Sequence, residues 1–207
     1  MSEIQNKRSR TQRLRTKQLT LMAVLTAVMI VLGYVNIPMP AGLSITFNMI
    51  PVAVAAIVMG VWGGVAMGAV FGTISFLQCF GIVGFSPMGS VLAGVSVPLC
   101  FIQRVVTRVL MGLITALVFK ALRKRSNLHL SCLATGFSAA FFNTLFFMSA
   151  LVLLFGGTEY MQEKMAGRAF LAYLVASVGL NGLVEMATSA VLTGVIGVAL
   201  KKARMIA

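Results

Sequence analysis

The chain has 207 residues, of which 59% are hydrophobic. Soluble globular domains contain roughly 45–50% apolar residues, so this composition excludes an ordinary soluble protein and predicts a protein that crosses a membrane several times. The formal net charge is +13, from 17 Lys and Arg against 4 Asp and Glu. Because the basic residues flank apolar runs, we attribute them to orientation in the lipid bilayer and not to nucleic acid binding.

The N-terminal segment, residues 1–17, carries six of the basic residues and precedes an apolar run. We expect a retained basic cytoplasmic tail, because the run lacks a small-residue cleavage site and further apolar runs follow. The first span is predicted at 18–35, with Ala23 and Ala27 on one helix face. Prolines and a glycine end this span, and we expect the uncharged loop at 36–46 to fold back over the protein.

An uncharged stretch at 47–80 is long enough to cross a bilayer twice, since one crossing needs about 20 apolar residues. We predict a tight transmembrane hairpin with spans at 47–61 and 64–80 and a turn at 60–64. Small side chains form a face suited to close helix packing, which we expect to contact the first helix or a partner protein. They recur every fourth residue, at Ala56, Gly60, Gly64, Gly68 and Gly72.

The second half of the chain begins with a Gly- and Ser-rich segment, 81–97, predicted to be a loop or a re-entrant segment. Three further spans are predicted at 98–122, 128–155 and 169–200. The last exceeds one crossing, so we expect it to be tilted, kinked or preceded by an interfacial segment. Basic clusters precede the first span and follow the fourth and sixth, which predicts six spans with both termini in the cytoplasm.

Ionisable side chains inside a span are costly and face the protein interior or a wet cavity, unless they reach an interface. Arg104 and Arg108 lie four apart on one face of the fourth span. Arg104 is predicted either to extend outward or to contact a ligand, and Arg108 either to contact a ligand or to pair with a carboxylate. The carboxylate of such a pair is Glu185 in the sixth span, with Asn181 one turn above it. Both interpretations of Glu185 stay open.

Three amides inside or near the ends of predicted spans also need hydrogen-bond partners, from another helix or from a ligand. Asn143 lies in the aromatic stretch at 141–147, and Asn48 and Gln78 lie near the outer ends of the hairpin. Together with the arginines, these side chains predict an outward-facing pocket that is mostly apolar with a few polar contacts.

Enzyme signatures are missing from the sequence, which has no HExxH, GxSxG or phosphate-binding loop. Its single histidine, His129, adjoins a basic cluster. Cys79, Cys100 and Cys132 have no metal-ligand spacing, and we interpret them as buried packing residues. We therefore predict a non-catalytic chain without metal or cofactor, whose energy for any uphill transport comes from another protein.

Nearly the whole chain after the tail resembles the substrate-binding S components of energy-coupling factor (ECF) vitamin transporters. The resemblance rests on the AxxxA pair at Ala23 and Ala27 and on three segments. These are FNMIPVAVAAIVMG at 47–60, GAVFG at 68–72 and RVLMGL at 108–113. They are most similar to the branch that includes the riboflavin and pantothenate S components.

The resemblance implies an all-α bundle of six transmembrane helices, residues 18–204, in a prokaryotic plasma membrane, which binds one vitamin with high affinity. It also implies an ECF module as partner, in which a T component contacts Ala23 and Ala27 and two ATPases supply the energy. The loop at 36–46 becomes a lid over the pocket, and the outer halves of the last three helices become its walls.

The two arginines favour a small vitamin with a carboxylate, because guanidinium groups form bidentate bonds to carboxylates. We therefore expect pantothenate, with riboflavin as the alternative. Two interpretations come from other classes of protein. A structural membrane protein would bind no vitamin, and a stand-alone secondary carrier would need internal repeats and midplane ion sites.

Overall fold

The computed structural model is almost entirely helical. It describes residues 2–34, 37–38, 44–165, 170–203 and 205, with side chains at 16–34, 46–163, 179, 182–203 and 205. The helices are α1 (Ser2–Tyr34), α2 (Met49–Leu77), α3 (Pro87–Val95), α4 (Val97–Phe101), α5 (Thr107–Leu122), α6 (Leu128–Phe155), α7 (Glu159–Met165) and α8 (Phe170–Lys202). A 3₁₀ turn (Gln78–Phe80) follows α2, and a π-helical turn (Ile102–Val106) joins α4 to α5. Two short strands, β1 (Ile37–Pro38) and β2 (Ser44–Ile45), pair antiparallel.

Within the described residues, five helical segments are long and apolar enough to cross a membrane. They are Thr16–Tyr34, Met49–Phe80, Val97–Leu122, Leu128–Phe155 and Gly182–Lys202. A helical, membrane-integral protein is thereby confirmed. The six crossings stay a prediction, because the two spans predicted for the hairpin count here as one segment, Met49–Phe80. The backbone of the basic N-terminal segment continues the first helix, since α1 begins at Ser2.

The second segment reverses direction at Gly60. This residue has φ 67° and ψ −149°, a conformation that essentially only glycine adopts. A Cβ atom at Gly63 would lie 2.5 Å from the carbonyl oxygen of Ala55, eight residues earlier. In a continuous helix such residues are about 12 Å apart along the axis. The chain therefore turns back at the predicted place and forms two arms, the first arm (49–59) and the second arm (61–77).

The glycine face of the second arm packs against α5, and the expectation that it contacts α1 or a partner protein is wrong. A Cβ atom at Gly64 would overlap the carbonyl oxygen of Gly112, and one at Gly68 would overlap that of Arg108. Gly72 meets the main chain of the π-helical turn in the same way. The two helices run antiparallel with their backbones in contact, because glycine on both sides removes the side chains that would hold them apart.

The first arm lies at the centre of the molecule. Its residues from Met49 to Ile57 are all buried, and they form the main hydrophobic cluster with Met67, Phe71 and Met111. The other helices surround this arm, with α6 and α8 packed along each other through Gly136 and Gly197.

The segment at 81–97, predicted to be a loop or re-entrant, contains a short helix, α3. Ser86 caps this helix by accepting a hydrogen bond from the backbone N–H of Gly89 at 3.2 Å, and Pro87 occupies its first turn. Ser86 thereby acquires a fixed position at the start of α3.

Candidate functional site

Arg104 and Arg108 are both buried, with 5% and 6% of their surface exposed. Arg104 belongs to the π-helical turn, a wider turn that often occurs at functional sites. Its Nη1 donates to the hydroxyl of Ser75 on the second arm at 3.2 Å, and its Nη2 donates to the hydroxyl of Ser86 at 3.3 Å. The alternative in which Arg104 extends outward is therefore wrong. Its guanidinium is held by the buried Ser75 and by Ser86, which caps α3.

Arg108 lies between two aromatic rings. The central carbon of its guanidinium is 4.6 Å from the ring centre of Phe71 and 4.9 Å from that of Phe147. Arg104 lies 5.1 Å from the same Phe147 ring, so one ring contacts both cations. Arg108 Nη1 donates to the carbonyl oxygen of Arg104 at 3.1 Å, while the Nε atoms of both arginines have no hydrogen-bond partner in the described part of the chain. These cation–π contacts stabilise the two guanidinium groups but do not neutralise their positive charge.

Glu185 does not neutralise this pair. Its Oε1 accepts a hydrogen bond of 2.8 Å from the backbone N–H of Thr46, directly after β2. In the part of the chain that the structure describes, the partner of Glu185 is thus a main-chain amide. The alternative in which Arg108 pairs with Glu185 is therefore wrong. Among the described residues the two buried positive charges have no acidic partner, a costly arrangement in an apolar interior.

Asn48 and Gln78, at the two ends of the hairpin, meet over the last turn of α1. A Cβ atom at Gly33 would lie 3.2 Å from Gln78 Nε2 and 3.9 Å from Asn48 Nδ2. Asn48 is 3% exposed, and its Oδ1 has no partner among the described atoms. The backbone N–H of Ser86 donates to the carbonyl oxygen of Gln78 at 3.0 Å. The main chain of Gln78 is therefore bonded to the serine that holds Arg104.

Asn143 lies one helical turn before Phe147 on α6, and its Oδ1 also lacks a partner among the described residues. The side chain of Asn181 lies outside the described residues. The structure thus gathers Asn48, Gln78 and the two arginines around the end of the hairpin, with Asn143 one turn from the shared ring. Glu185 contacts the base of the predicted lid at 36–46.

Several residues of this cluster escaped the sequence analysis. Gln103 is fully buried, and neither of its amide atoms has a hydrogen-bond partner among the residues that the structure describes. An amide inside an apolar run is the same signal that pointed to Asn143. The Ser86–Pro87 pair is a helix-start signature that would have placed α3 and its capping serine. Ser75 and Phe71 gave no signal, because their importance comes from the tertiary contact of the second arm with the π-helical turn.

The face of α1 that carries Ala23 and Ala27 is exposed, whereas Leu25 and Met29 point into the protein. This helix buries little of its surface in the described fold and leaves a strip of small residues uncovered.

Comparison with known proteins decides the family. A model of the ECF transporter family, substrate-specific component, matches residues 17–197. The chain belongs to this family. A search of curated proteins finds no match. The resemblance seen in the sequence is therefore confirmed at the level of the family, although not for one branch of it. An S component binds the substrate, associates with the ECF module and leaves ATP hydrolysis to partner subunits.

Proposed function

We propose that this S component binds pantothenate in the outer half of a prokaryotic plasma membrane and delivers it to an ECF module. The observation that carries the proposal is the pair Arg104 and Arg108, buried to 5% and 6% exposure with no acidic partner among the described residues. A ligand that brings its own carboxylate into this cluster supplies the missing negative charge.

The chemistry of the cluster matches a small carboxylate with several polar groups. Guanidinium groups bind carboxylates through paired charge-assisted hydrogen bonds, and the unpaired Nε atoms of both arginines are donors for this purpose. Pantothenate also carries an amide and two hydroxyls, which suit the amides of Asn48, Gln78 and Asn143. Riboflavin, a neutral and flat aromatic molecule, makes no use of two buried cations.

The loop at 36–46 acts as a lid over this ligand. The hydrogen bond from the Thr46 amide to Glu185 attaches the end of the loop to α8. We assign Glu185 and Asn181 to the α8 side of the binding site, where Glu185 holds the lid.

In the proposed topology the chain crosses the membrane six times, and each arm of the hairpin crosses it once. Both termini, the Gly60 turn and the basic residues 123–125 lie in the cytoplasm, because the positive charges concentrate at that end of the molecule. The T component docks on the exposed face of α1 at Ala23 and Ala27, where small side chains permit close contact between helices.

Calorimetric titration of the purified chain tests this proposal, with pantothenate, riboflavin and an uncharged pantothenate amide as ligands. We expect saturable binding of pantothenate and much weaker binding of the amide, which lacks the carboxylate. Tighter binding of riboflavin would identify riboflavin, and not pantothenate, as the substrate. The absence of binding to any vitamin would favour a structural membrane protein. Accumulation of substrate by liposomes containing this chain alone would favour a secondary carrier.

A further inference from the structure

Two cysteines meet at the outer end of the hairpin. Cys79 lies in the 3₁₀ turn after α2, and Cys100 lies in α4. Their sulfur atoms are 3.6 Å apart, and the thiol of Cys79 also contacts the carbonyl oxygen of Ser75 at 3.5 Å. Both are unoxidised and buried, with 3% and 0% of their surface exposed. A disulfide needs about 2.05 Å between the sulfurs, so a small local shift is enough to join them.

The pair is close to the edge of the apolar region and far from its middle. Cys79 is next to the last residue of the segment Met49–Phe80, and Cys100 is the fourth residue of Val97–Leu122. At about 1.5 Å per residue, both lie within one helical turn of the segment ends. The neighbouring turn exposes Ile82 and Phe85 to its surroundings, with 65% and 62% of their surface accessible. The two thiols therefore lie nearer to the ends of their spans than to the middle.

Arg104 lies beside the same sulfur. A Cβ atom at Gly89 would be 2.6 Å from Cys79 Sγ and 2.9 Å from Arg104 Nη2. The thiol and the guanidinium therefore both pack against Gly89, close to each other. Negative charge develops on sulfur when a thiol attacks a disulfide, and a nearby cation stabilises that charge. The cluster thus combines two adjacent thiols with a positive charge that favours the attacking thiolate.

We propose that Cys79 and Cys100 form a redox site that closes to a disulfide when a low-molecular-weight disulfide is present. One cysteine attacks the reagent's S–S bond, forms a mixed disulfide and releases one small thiol. The second cysteine then attacks the mixed disulfide at the protein sulfur and releases the other small thiol. The protein loses two protons and two electrons, and the reagent takes them up and is reduced to two thiols.

The disulfide fastens the end of the second arm to the start of the fourth span and encloses α3 in the loop. This loop contains Ser86, and Ser75 lies one turn before Cys79, so both partners of Arg104 become fixed by the bond. Oxidising surroundings favour such bonds, and the orientation proposed above places this end of the protein outside the cell. The redox site itself does not depend on which vitamin is bound.

Oxidised glutathione is the probe for the test, applied to the folded chain in detergent. The Cys132→Ser variant keeps the pair and removes the third thiol, and the Cys79→Ser/Cys132→Ser variant is its matched control. After treatment, alkylation in denaturant and intact mass measurement count the remaining thiols. We expect Cys132→Ser to lose both alkylatable thiols with a mass lower by two hydrogens, reversibly with a reductant. Its Tm should rise by about 7–14 °C, as expected for closing a loop of this length.

The control variant should retain its single thiol or carry one glutathione, without a rise in Tm. Peptide mapping of the oxidised wild-type chain gives a second test that needs no substitution, and it should show Cys79 linked to Cys100. Two thiols that stay alkylatable, separate glutathione adducts on each cysteine, or links between chains would overturn the proposal.

Discussion

Arg104 and Arg108 bring two positive charges into a part of the molecule that is otherwise apolar. Their stability there rests on the ring faces of Phe71 and Phe147 and on two serine hydroxyls, and none of these groups is negative. Such an arrangement is expensive to maintain for structure alone, since an apolar pair of similar size would cost less. This cost supports the proposal that the two charges receive an anionic ligand.

The first prediction concerns the Arg108→Ala substitution. We expect it to weaken pantothenate binding by about 1.5–3 kcal/mol, roughly 10- to 150-fold in Kd, because it removes hydrogen bonds to a charged group. Calorimetric titration measures the change, and Arg125→Ala in the exposed basic loop is the matched control. Unchanged affinity in a folded Arg108→Ala protein would remove this arginine from the binding site.

The second prediction concerns Glu185, which holds the end of the lid through the Thr46 amide. Glu185→Ala removes the acceptor, so we expect the ligand to dissociate roughly tenfold faster or more, in line with the loss of a hydrogen bond to a charged group. Glu185→Gln keeps an oxygen acceptor and should recover most of the slow dissociation. Stopped-flow displacement measures both rates, with the exposed Glu159→Ala as control. Equal rates in all four proteins would exclude this attachment of the lid.

The sequence was sufficient to identify the ionisable and amide residues of the site, because such groups are rare and costly inside apolar spans. It was not sufficient to identify their partners. Arg108 does not pair with Glu185, because the carboxylate accepts a hydrogen bond from the main-chain amide of Thr46 next to β2. Ser75 is a partner of Arg104 only because the second arm packs against the π-helical turn. Partners of this kind are decided by tertiary packing, which spacing along one helix does not encode.

At the scale of elements, the hairpin organises the molecule. Its first arm is the buried centre, and the glycines of its second arm bring the backbone of α5 into contact. That contact places the π-helical turn and Arg104 directly beside Ser75. The row of small residues and the turn at Gly60 were predictable, since glycine spacing and chain length dictate them. The identity of the helix that packs against these glycines, α5, was not predictable, because any helix with small residues satisfies the same pattern.

The third prediction compares two glycine-to-alanine substitutions within helices. Gly68→Ala places a methyl group against the carbonyl oxygen of Arg108, whereas Gly94→Ala places it in open space. We expect Gly68→Ala to lower the free energy of unfolding by about 1–3 kcal/mol, as overpacking does, and to weaken pantothenate binding by displacing Arg108. Gly94→Ala should leave both unchanged. Thermal unfolding in detergent and titration measure the two effects, and equal behaviour of the variants would contradict this packing.

At the scale of the whole molecule, the described fold combines a buried arginine pair with a first helix that is largely uncovered. The family assigns substrate binding to this subunit and ATP hydrolysis to its partners, so binding and transport are separable properties. The exposed strip at Ala23 and Ala27 lies on α1, whereas the arginine cluster lies between the second arm, α5 and α6. If the strip is the docking surface, as proposed above, a change on it should affect assembly and leave the arginine cluster intact.

The fourth prediction follows from this separation. Ala23→Trp adds bulk to the small-residue face, so we expect normal pantothenate affinity but loss of uptake in cells that express the whole ECF transporter. Val195→Trp, on an exposed face of α8, is the matched control and should leave uptake intact. Affinity is measured on the purified chain and uptake with labelled pantothenate. Normal uptake by the Ala23→Trp protein would place the docking surface elsewhere.

Native mass spectrometry of the purified chain tests the central claim most directly, because it identifies the ligand that the protein retains from the cell. We predict one bound molecule per chain, identified as pantothenate after release by denaturation, and its absence from the Arg108→Ala protein. A chain that carries a vitamin without a carboxylate, or that retains the same ligand in the Arg108→Ala protein, would contradict the account.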